Sequence, residues 1–362
     1  MPIFRLLPHG CSAARAFRIK YCGLLLILLL PLASYAQTPD AAGPLLTPEQ
    51  FLGYKLGAQF TPHAELLRYV AHVTAHTPGR MKLVRYGKFG KEKPGLIDGE
   101  GKLRDLSGVI DDLAGAALSP KSLKKIAQLK TKNLPLVKGK PRIGASVGKV
   151  GNFIAVGLNY ADHAAETGAA VPKEPILFNK APSCIVGPND PVMIPKGSVK
   201  TDWEVELAIV IGSRCSYVSE ADALNYVAGL TICHDVSERE YQIERGGQWM
   251  KGKGCPTFGP LGPWLVTLDE IADMQNLDMF LDVNGERMQR GNTKTMIFSV
   301  KTLVSYISQF LILEPGDVIT TGTPPGVGMG MKPPRFLQAG DTVSLGITGL
   351  GRQAQEIIAY KA

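Results

Sequence analysis

The sequence predicts a strand-rich α+β fold with few helices. Most periodic segments are short runs of β-branched and apolar residues that end at glycine or proline. Two such runs are separated by Asn284 and Gly285, a pair typical of a type I′ β-hairpin. Amphipathic stripes with helical spacing are few, and the clearest of them covers residues 299–311.

Residues 1–36 have the pattern of a signal peptide. A basic segment ends at Lys20, an apolar stretch over residues 23–32 is too short to span a bilayer, and small residues precede a cleavage position before Gln37. The alternative is a chance apolar N-terminus from a wrongly chosen start codon. We expect a periplasmic, exported protein if this leader is real, and a cytoplasmic one if translation starts at Met81.

Residues 37–80 are predicted to be a linker followed by a helical segment, because apolar residues recur at helical spacing between Leu66 and Val73. Residues 47–63 resemble the start of a secreted zinc carboxypeptidase, although the catalytic zinc motif of that family does not follow. A second start-like segment begins at Met81. The hypothesis is that a secretion leader has been joined to a complete enzyme.

Residues 81–145 are predicted to form a small N-terminal α/β domain. Strands are expected over residues 81–86 and 93–98, and helices over 106–116 and 119–129. The second helix has a clear start, because Ser119 can cap it and Pro120 suits its first turn.

Residues 150–362 are predicted to form the catalytic domain. Its expected strands cover residues 152–156, 202–212, 229–236, 277–283, 286–289, 318–321, 343–347 and 353–360. Its expected helices cover residues 219–226 and 299–311, and residues 246–263 are expected to be a long loop rich in glycine and proline.

Charge and cysteine content exclude several classes of protein. The net charge is +8, but residues 1–36 contain four basic residues and no acid, so the remainder has 36 basic and 32 acidic residues, or +4. With no Lys/Arg run, we expect no nucleic-acid binding. Four cysteines lie outside the leader without metal-binding spacing, and we expect reduced core residues: Cys184, Cys215, Cys233 and Cys255.

The strand over residues 202–212 holds the first candidate site. Side chains alternate along a strand, so Glu204 and Glu206 share one face, about 6–7 Å apart. This face holds a divalent cation, or it lies at a solvated strand end where the carboxylates pair with Lys or Arg. Asp235 lies on the strand predicted over residues 229–236, and a set of three carboxylates suits Mg²⁺, Mn²⁺ or Ca²⁺ rather than zinc.

His163 and Glu166 form the second candidate site. They are three residues apart, so on a helical turn they lie on one face. The carboxylate could orient the imidazole, which could take a proton from water. The alternative is a hydrogen bond on the surface of an ordinary helix.

From about Met81 onward, the chain resembles the fumarylacetoacetate hydrolase family. The matching motifs are GLNYADH at 157–163, DWEVEL at 202–207, DVSER at 235–239, the loop from Lys253 to residue 263, Asn284-Gly285 and TGTPPG at 321–326. The resemblance implies a mixed β-roll or barrel with few helices, bound Mg²⁺ (or Mn²⁺), a small-molecule 2-oxo acid substrate and a homodimer. No stable membrane span is expected.

The resemblance also implies roles for individual residues. Glu204, Glu206 and Asp235 would be the metal ligands, and His163 with Glu166 would activate water from a lid that orders on substrate binding. Lys253 would stabilise charge at the scissile carbonyl. Contacts to the substrate would come from four more residues: Arg239, Thr323, Lys180 and Gln248.

The implied reaction is metal-dependent hydrolysis of a C–C bond in a 2,4-dioxo acid, such as an acylpyruvate or a diketo-deoxy sugar acid, through a metal-stabilised enolate. The sequence is similar both to 2,4-diketo-3-deoxy sugar-acid hydrolases and to proteins labelled ureidoglycolate lyase. The family also contains isomerases and decarboxylases. An inactive secreted binding protein is the alternative of another class. One departure is Gly254-Cys255-Pro256 after the lysine, where many relatives differ.

Overall fold

The computed structural model describes residues 46–55, 57–59, 61, 65, 81–168 and 170–361. These residues belong to two compact units, Met1–His76 and Thr77–Ala362. In the first unit, helix α1 (Pro48–Leu52) begins with a capping box between Thr47 and Gln50. The leader predicted at residues 1–36 and the apolar stripe from Leu66 to Val73 lie outside the described residues.

The second unit contains seventeen described strands. In chain order they are β1 (Lys82–Tyr86), β2 (Lys93–Ile97), β3 (Leu103–Asp105), β4 (Phe153–Gly157), β5 (Ile176–Lys180), β6 (Ile185–Val186), β7 (Val192–Met193), β8 (Thr201–Asp202), β9 (Val205–Ile211), β10 (Val227–His234), β11 (Ser237–Glu238), β12 (Gly259–Val266), β13 (Asp278–Val283), β14 (Glu286–Asn292), β15 (Val318–Thr320), β16 (Thr342–Ile347) and β17 (Gly351–Ile358).

The strands form three sheets. The largest has ten strands in the order β3-β2-β1-β12-β10-β9-β15-β4-β5, with β6 paired to β12. A second sheet has the order β14-β13-β16-β17-β7, and β8 pairs with β11 in a third. Strands β13, β16 and β17 contact β9, β10 and β12, so the two larger sheets pack against each other.

Helices are few and short. They are α2 (Pro120–Ala127), α3 (Ala161–Thr167), α4 (Met250–Lys253) and α5 (Val300–Ile307), with a π-helical turn at Glu240–Glu244. Short 3₁₀ turns cover Gly115–Leu118, Thr131–Asn133, Pro182–Cys184, Ala223–Tyr226, Leu268–Glu270, Thr293–Thr295 and Gly328–Gly330. None of the helices in the described residues has the length and apolar character that a membrane crossing needs.

The centre of the large sheet is buried on both faces. Every residue of β9 and of β10 is buried, which explains why both strands are almost continuously apolar. Strand β9 runs antiparallel to β10 on one side and to β15 on the other, and β15 runs parallel to β4. The start of β9 and the ends of β4, β10 and β15 therefore meet at one edge of the sheet.

The predicted strand-rich α+β fold with few helices is confirmed. The predicted hairpin is also present as β13 and β14, and both turn residues have positive φ, 53° at Asn284 and 81° at Gly285. Helix α2 begins at the predicted cap, where the Ser119 hydroxyl accepts a hydrogen bond from the Ser122 amide. The four cysteines after residue 36 are free, and three of them are buried.

The helix predicted over residues 106–116 is absent. A single turn forms after Leu106, and local polar contacts then compete with helical ones. Asp105 accepts hydrogen bonds from the amide and hydroxyl of Ser107, and the side chain of Asp112 is held by Arg85 at 2.7 Å. These carboxylates bind nearby donors, so the backbone leaves the helical path.

Three other predicted boundaries are wrong. Of the helix predicted over residues 219–226, only a final 3₁₀ turn forms, because Ser219 and Asp222 close a local turn and β10 begins at Val227 to pair with β9. Helix α5 ends at Ile307, which leaves Phe310 and Leu311 exposed. The loop predicted over residues 246–263 instead contains α4 and the first part of β12.

Candidate metal and proton-transfer site

Three carboxylates converge at the edge of the large sheet where β9 starts and β10 ends. The antiparallel register places Glu206 opposite Cys233, and the amide of Asp235 donates to the carbonyl of Glu204 at 2.9 Å. One oxygen from each of Glu204, Glu206 and Asp235 can be chosen so that all lie within 4.8 Å of one another, and all three residues are buried. Two strands that are distant in sequence therefore build one acidic cluster.

The predicted strand over residues 202–212 is interrupted at Trp203 and Glu204. Residues 201–202 form β8, Trp203 and Glu204 leave the strand geometry, and β9 begins at Val205. Asp202 fixes this bend: its carboxylate accepts the amides of Gly328 at 2.7 Å and Met329 at 3.0 Å. The bend still leaves Glu204 and Glu206 on the same side, as the sequence predicted.

Two buried lysines neutralise part of the cluster. The ammonium of Lys253 lies 2.7 Å from Glu204 Oε2 and 2.8 Å from Asp235 Oδ2. The ammonium of Lys180 lies 2.5 Å from Asp235 Oδ1 and also donates to the carbonyl of Lys253. Lys180 therefore holds both a carboxylate of the cluster and the end of α4, which carries the second lysine.

Arg239 joins the cluster to its surroundings. Its guanidinium lies 2.8 Å from Asp202 Oδ2 and 2.7 Å from Glu204 Oε1, and it donates to Gln242 Oε1 at 3.0 Å. The guanidinium is buried and engaged on three sides by the protein. These contacts indicate that Arg239 positions Glu204. They do not support the predicted contact between Arg239 and a substrate carboxylate.

The surroundings of Glu204 and Glu206 shift the pKa values of these two carboxyls in opposite directions. Burial alone opposes ionisation of Glu204, but the charges of Lys253 and Arg239 overcome it and hold the pKa of this carboxyl well below its usual range. Burial raises the pKa of Glu206 well above its usual range, and the nearby charges of Asp235 and Glu204 raise it further. Glu206 is therefore the carboxylate that the protein's own cations do not neutralise.

The chemistry of this donor set fits a hard divalent cation. Four buried carboxylates lie in and around the cluster against three buried cationic side chains: Asp202, Glu204, Glu206 and Asp235 against Lys180, Lys253 and Arg239. The uncompensated charge is that of Glu206. Mg²⁺ and Mn²⁺ prefer carboxylate oxygens, and a divalent ion would keep Glu206 ionised.

The predicted His–Glu pair is present on α3. His163 Nδ1 lies 3.0 Å from Glu166 Oε2, and His163 is buried. The Glu166 carboxylate also accepts the backbone amide of Gly326, at 3.0 Å for Oε1 and 3.2 Å for Oε2. With Nδ1 donating to Glu166, Nε2 is the basic nitrogen of the imidazole.

One loop connects the His–Glu pair to the carboxylates. The segment from Thr321 to Gly326 follows β15. The amide of Gly322 donates to Glu206 Oε2 at 2.9 Å, while the amide of Gly326 donates to Glu166. Asn159, which precedes α3, donates from Nδ2 to the carbonyl of Thr321 at 2.8 Å. Both candidate sites therefore depend on the same six residues.

Tyr160 shows that α3 begins beside the carboxylates. Its side chain is completely buried. Burial is the larger cause, and the charge of Glu206 the next, of the raised pKa of its phenol. His234 precedes Asp235, but no hydrogen bond among the described residues joins its imidazole to the three carboxylates. It contacts Gln355 at 3.1 Å, and burial lowers its pKa to about 3, which keeps it neutral.

Two predicted substrate contacts lie in unexpected surroundings. The Thr323 hydroxyl donates to the carbonyl of Val205 at 3.0 Å and accepts from Gln289 Nε2 at 2.8 Å, so the protein uses it to hold the start of β9. Gln248 is exposed between the π-helical turn and α4, and no hydrogen bond of the described residues brings its side chain to the carboxylates.

Sequence reasoning missed three buried polar residues that support the site. Asp202 lies in the DWEVEL motif, and only its position beside Glu204 could have indicated a role. Gln242 is three residues after Arg239, a spacing that would have paired them on a helical turn. Gln289 accepts the Val205 amide at 2.9 Å and gave no signal, because it lies on the distant strand β14.

Comparison with known proteins gives consistent matches. Residues 152–358 match the family described as fumarylacetoacetate (FAA) hydrolase C-terminal. A putative hydrolase of Burkholderia ambifaria is 64% identical over 276 residues, which cover 76% of this chain and 98% of that protein. The solved fumarylacetoacetate hydrolase of Exiguobacterium antarcticum is 36% identical with a TM-score of 0.69, covering 77% of this chain and 100% of that chain.

A further solved structure contains ligands. It is a maleylpyruvate hydrolase from Sphingobium sp. SYK-6 in complex with manganese(II) ion and pyruvate. It is 25% identical to this chain, with a TM-score of 0.64, and the match covers 78% of this chain and 100% of that one.

The raised pKa of Glu206 predicts how the metal-free protein responds to pH. The folded state keeps a proton on Glu206 that the unfolded state releases above the ordinary value of 4.5. The stability from this proton is therefore complete below that pH and is lost as the pH rises. Glu206→Gln cannot titrate, so its unfolding free energy relative to wild type should increase with pH, by at most about 1.4 kcal/mol per pH unit.

Denaturant unfolding of EDTA-treated protein over a pH series measures this difference. Glu356→Gln, which removes an exposed carboxylate of β17, controls for the loss of one charge. A difference between Glu206→Gln and wild type that stays constant with pH would show that the folded protein does not raise the pKa of Glu206.

Proposed function

The chain belongs to the fumarylacetoacetate hydrolase family, and we propose that it is a divalent-metal-dependent enzyme that hydrolyses a C–C bond of a 2,4-dioxo acid. An acylpyruvate or a diketo-deoxy sugar acid is the proposed substrate class. The observation that carries the proposal is the buried cluster of three carboxylates, joined through one loop to a His–Glu pair. The manganese ion and pyruvate in the maleylpyruvate hydrolase structure support this choice of cation and product class.

Glu204, Glu206 and Asp235 are the proposed ligands of Mg²⁺ or Mn²⁺. A cation held there would polarise a substrate carbonyl and neutralise negative charge that develops during cleavage. Lys253 would add a second positive charge beside the reacting atoms, since its ammonium already lies between two of the carboxylates. Lys180 and Arg239 would position these groups without touching the substrate.

His163 is the proposed general base. Glu166 holds the imidazole with Nε2 basic, so His163 can take a proton from water while Glu166 stabilises the imidazolium that forms. The resulting hydroxide adds to the carbonyl carbon distal to the 2-oxo acid group. The C–C bond then breaks, its electron pair passes to the carbon of the 2-oxo acid fragment, and that carbon takes a proton back. The products are a carboxylic acid and a 2-oxo acid.

Turnover of a substrate panel tests this function. Purified protein with Mg²⁺ or Mn²⁺ should release a 2-oxo acid from at least one acylpyruvate or diketo-deoxy sugar acid. Glu206→Ala should abolish turnover and cation binding, because one of three ligands is lost, whereas Glu356→Ala should keep both. Urea release from ureidoglycolate would indicate a lyase, and CO₂ release from oxaloacetate a decarboxylase. No turnover together with no bound cation would favour the inactive binding protein.

The His–Glu pair predicts a specific pattern of mutant kinetics. His163→Asn should lower kcat by about 10²–10⁴-fold, the usual contribution of a general base. Glu166→Gln should also lower kcat, and the double variant should be no slower than His163→Asn, because Glu166 acts through the imidazole. Cation affinity, measured by calorimetry, should stay unchanged in all three. Additive losses in the double variant would contradict the relay.

A further inference from the structure

The outer face of the five-stranded sheet carries arginines arranged around one aromatic ring. The strand register places Arg290, Phe280, Gly346 and Arg352 in a single row across β14, β13, β16 and β17. Arg287 lies in the next row, opposite Asp282. Side chains alternate between the two faces of β13. Met279 and Leu281, on either side of Phe280, are buried towards the large sheet, so the row that contains Phe280 points outward.

The ring of Phe280 orders two of the guanidiniums. The Cζ atom of Arg287 lies 4.5 Å from the ring centroid, and that of Arg352 lies 5.1 Å from it. Gly346 makes the space for this arrangement, since a Cβ there would lie 2.7 Å from Phe280 Cε1 and 3.0 Å from Arg352 Cγ. Stacking on a ring fixes the plane of a guanidinium and leaves its N–H edge available for hydrogen bonds.

Within the described part of the chain, two of the three arginines lack an acidic partner. Arg287 pairs with Asp282, but among the described residues no carboxylate lies within ion-pair distance of Arg290 or Arg352. The other acid of this face, Asp278, accepts a hydrogen bond from Asn292 at 2.8 Å. The face therefore presents two guanidiniums whose charges these residues leave uncompensated.

The three arginines, Phe280 and Asp278 line a cleft of about 530 Å³, which also includes Thr348, Gly349 and Gly351. That volume is within the range of sites for small molecules. Planar guanidiniums match the paired oxygens of a phosphate or a carboxylate. We propose that this cleft binds a small dianion that carries a phosphate or two carboxylates, at a site separate from the carboxylate cluster. Its floor belongs to the five-stranded sheet, whereas the cluster lies at the edge of the large sheet.

Calorimetric titration of the Mg²⁺-loaded protein with inorganic phosphate and, in a second arm, malonate tests the proposal. Wild type should bind at least one of the two anions. Arg290→Gln with Arg352→Gln should weaken that binding roughly tenfold or more, since two charge-assisted contacts are lost. Arg214→Gln, an exposed arginine outside the cleft, should bind as wild type does. Phe280→Leu should also weaken binding, because the ring no longer orders Arg352.

Two further measurements distinguish anion binding in this cleft from anion binding at the carboxylate cluster and from a protein interface. Glu206→Gln should bind the anions as wild type does; binding that disappears in Glu206→Gln but survives in the double arginine variant would place the anion at the carboxylate cluster and overturn the proposal. Thermal unfolding should show that the double arginine variant is folded. Equal anion affinities in wild type and the double arginine variant would also overturn the proposal. So would a change in the sedimentation of that variant in the absence of anion, because it would identify this face as a protein interface.

Discussion

The close approach of three buried carboxylates determines how the surrounding strands, loop and cationic side chains are arranged. Like charges at this range in a buried site are unfavourable unless cations lie between them. Lys253, Lys180 and Arg239 supply three such charges and hold Glu204 and Asp235 in place. Among the described residues no cationic side chain forms an ion pair with Glu206, and burial raises its pKa, so Glu206 is the carboxyl that the proposed cation would keep ionised.

The loop from Thr321 to Gly326 joins this cluster to the pair formed by His163 and Glu166. Its glycines have positive φ, 90° at Gly322 and 102° at Gly326, and each directs an amide to a different carboxylate. A Cβ at Gly326 would lie 2.0 Å from the carbonyl of Met288, so only glycine fits there. Through this loop, the start of β9 and helix α3 are placed relative to each other.

The sequence was sufficient for the parts of the site that depend on local periodicity. The period of a strand put Glu204 and Glu206 on one face, and the period of a helix put His163 next to Glu166. It could not show that Arg239 and Thr323 bond to protein atoms, because their partners Asp202 and Gln289 come from other strands. The helix predicted over residues 106–116 failed for the same reason, since the distant Arg85 holds Asp112.

Anomalous diffraction from crystals grown with Mn²⁺ is the sharpest test of the metal site. We expect one strong manganese peak bounded by carboxylate oxygens of Glu204, Glu206 and Asp235, and loss of that peak in crystals of the Glu206→Ala variant. Manganese bound only elsewhere in wild-type crystals, with Lys253 still bridging Glu204 and Asp235, would contradict this assignment. The cluster would then be a structural ion-pair network rather than a metal site.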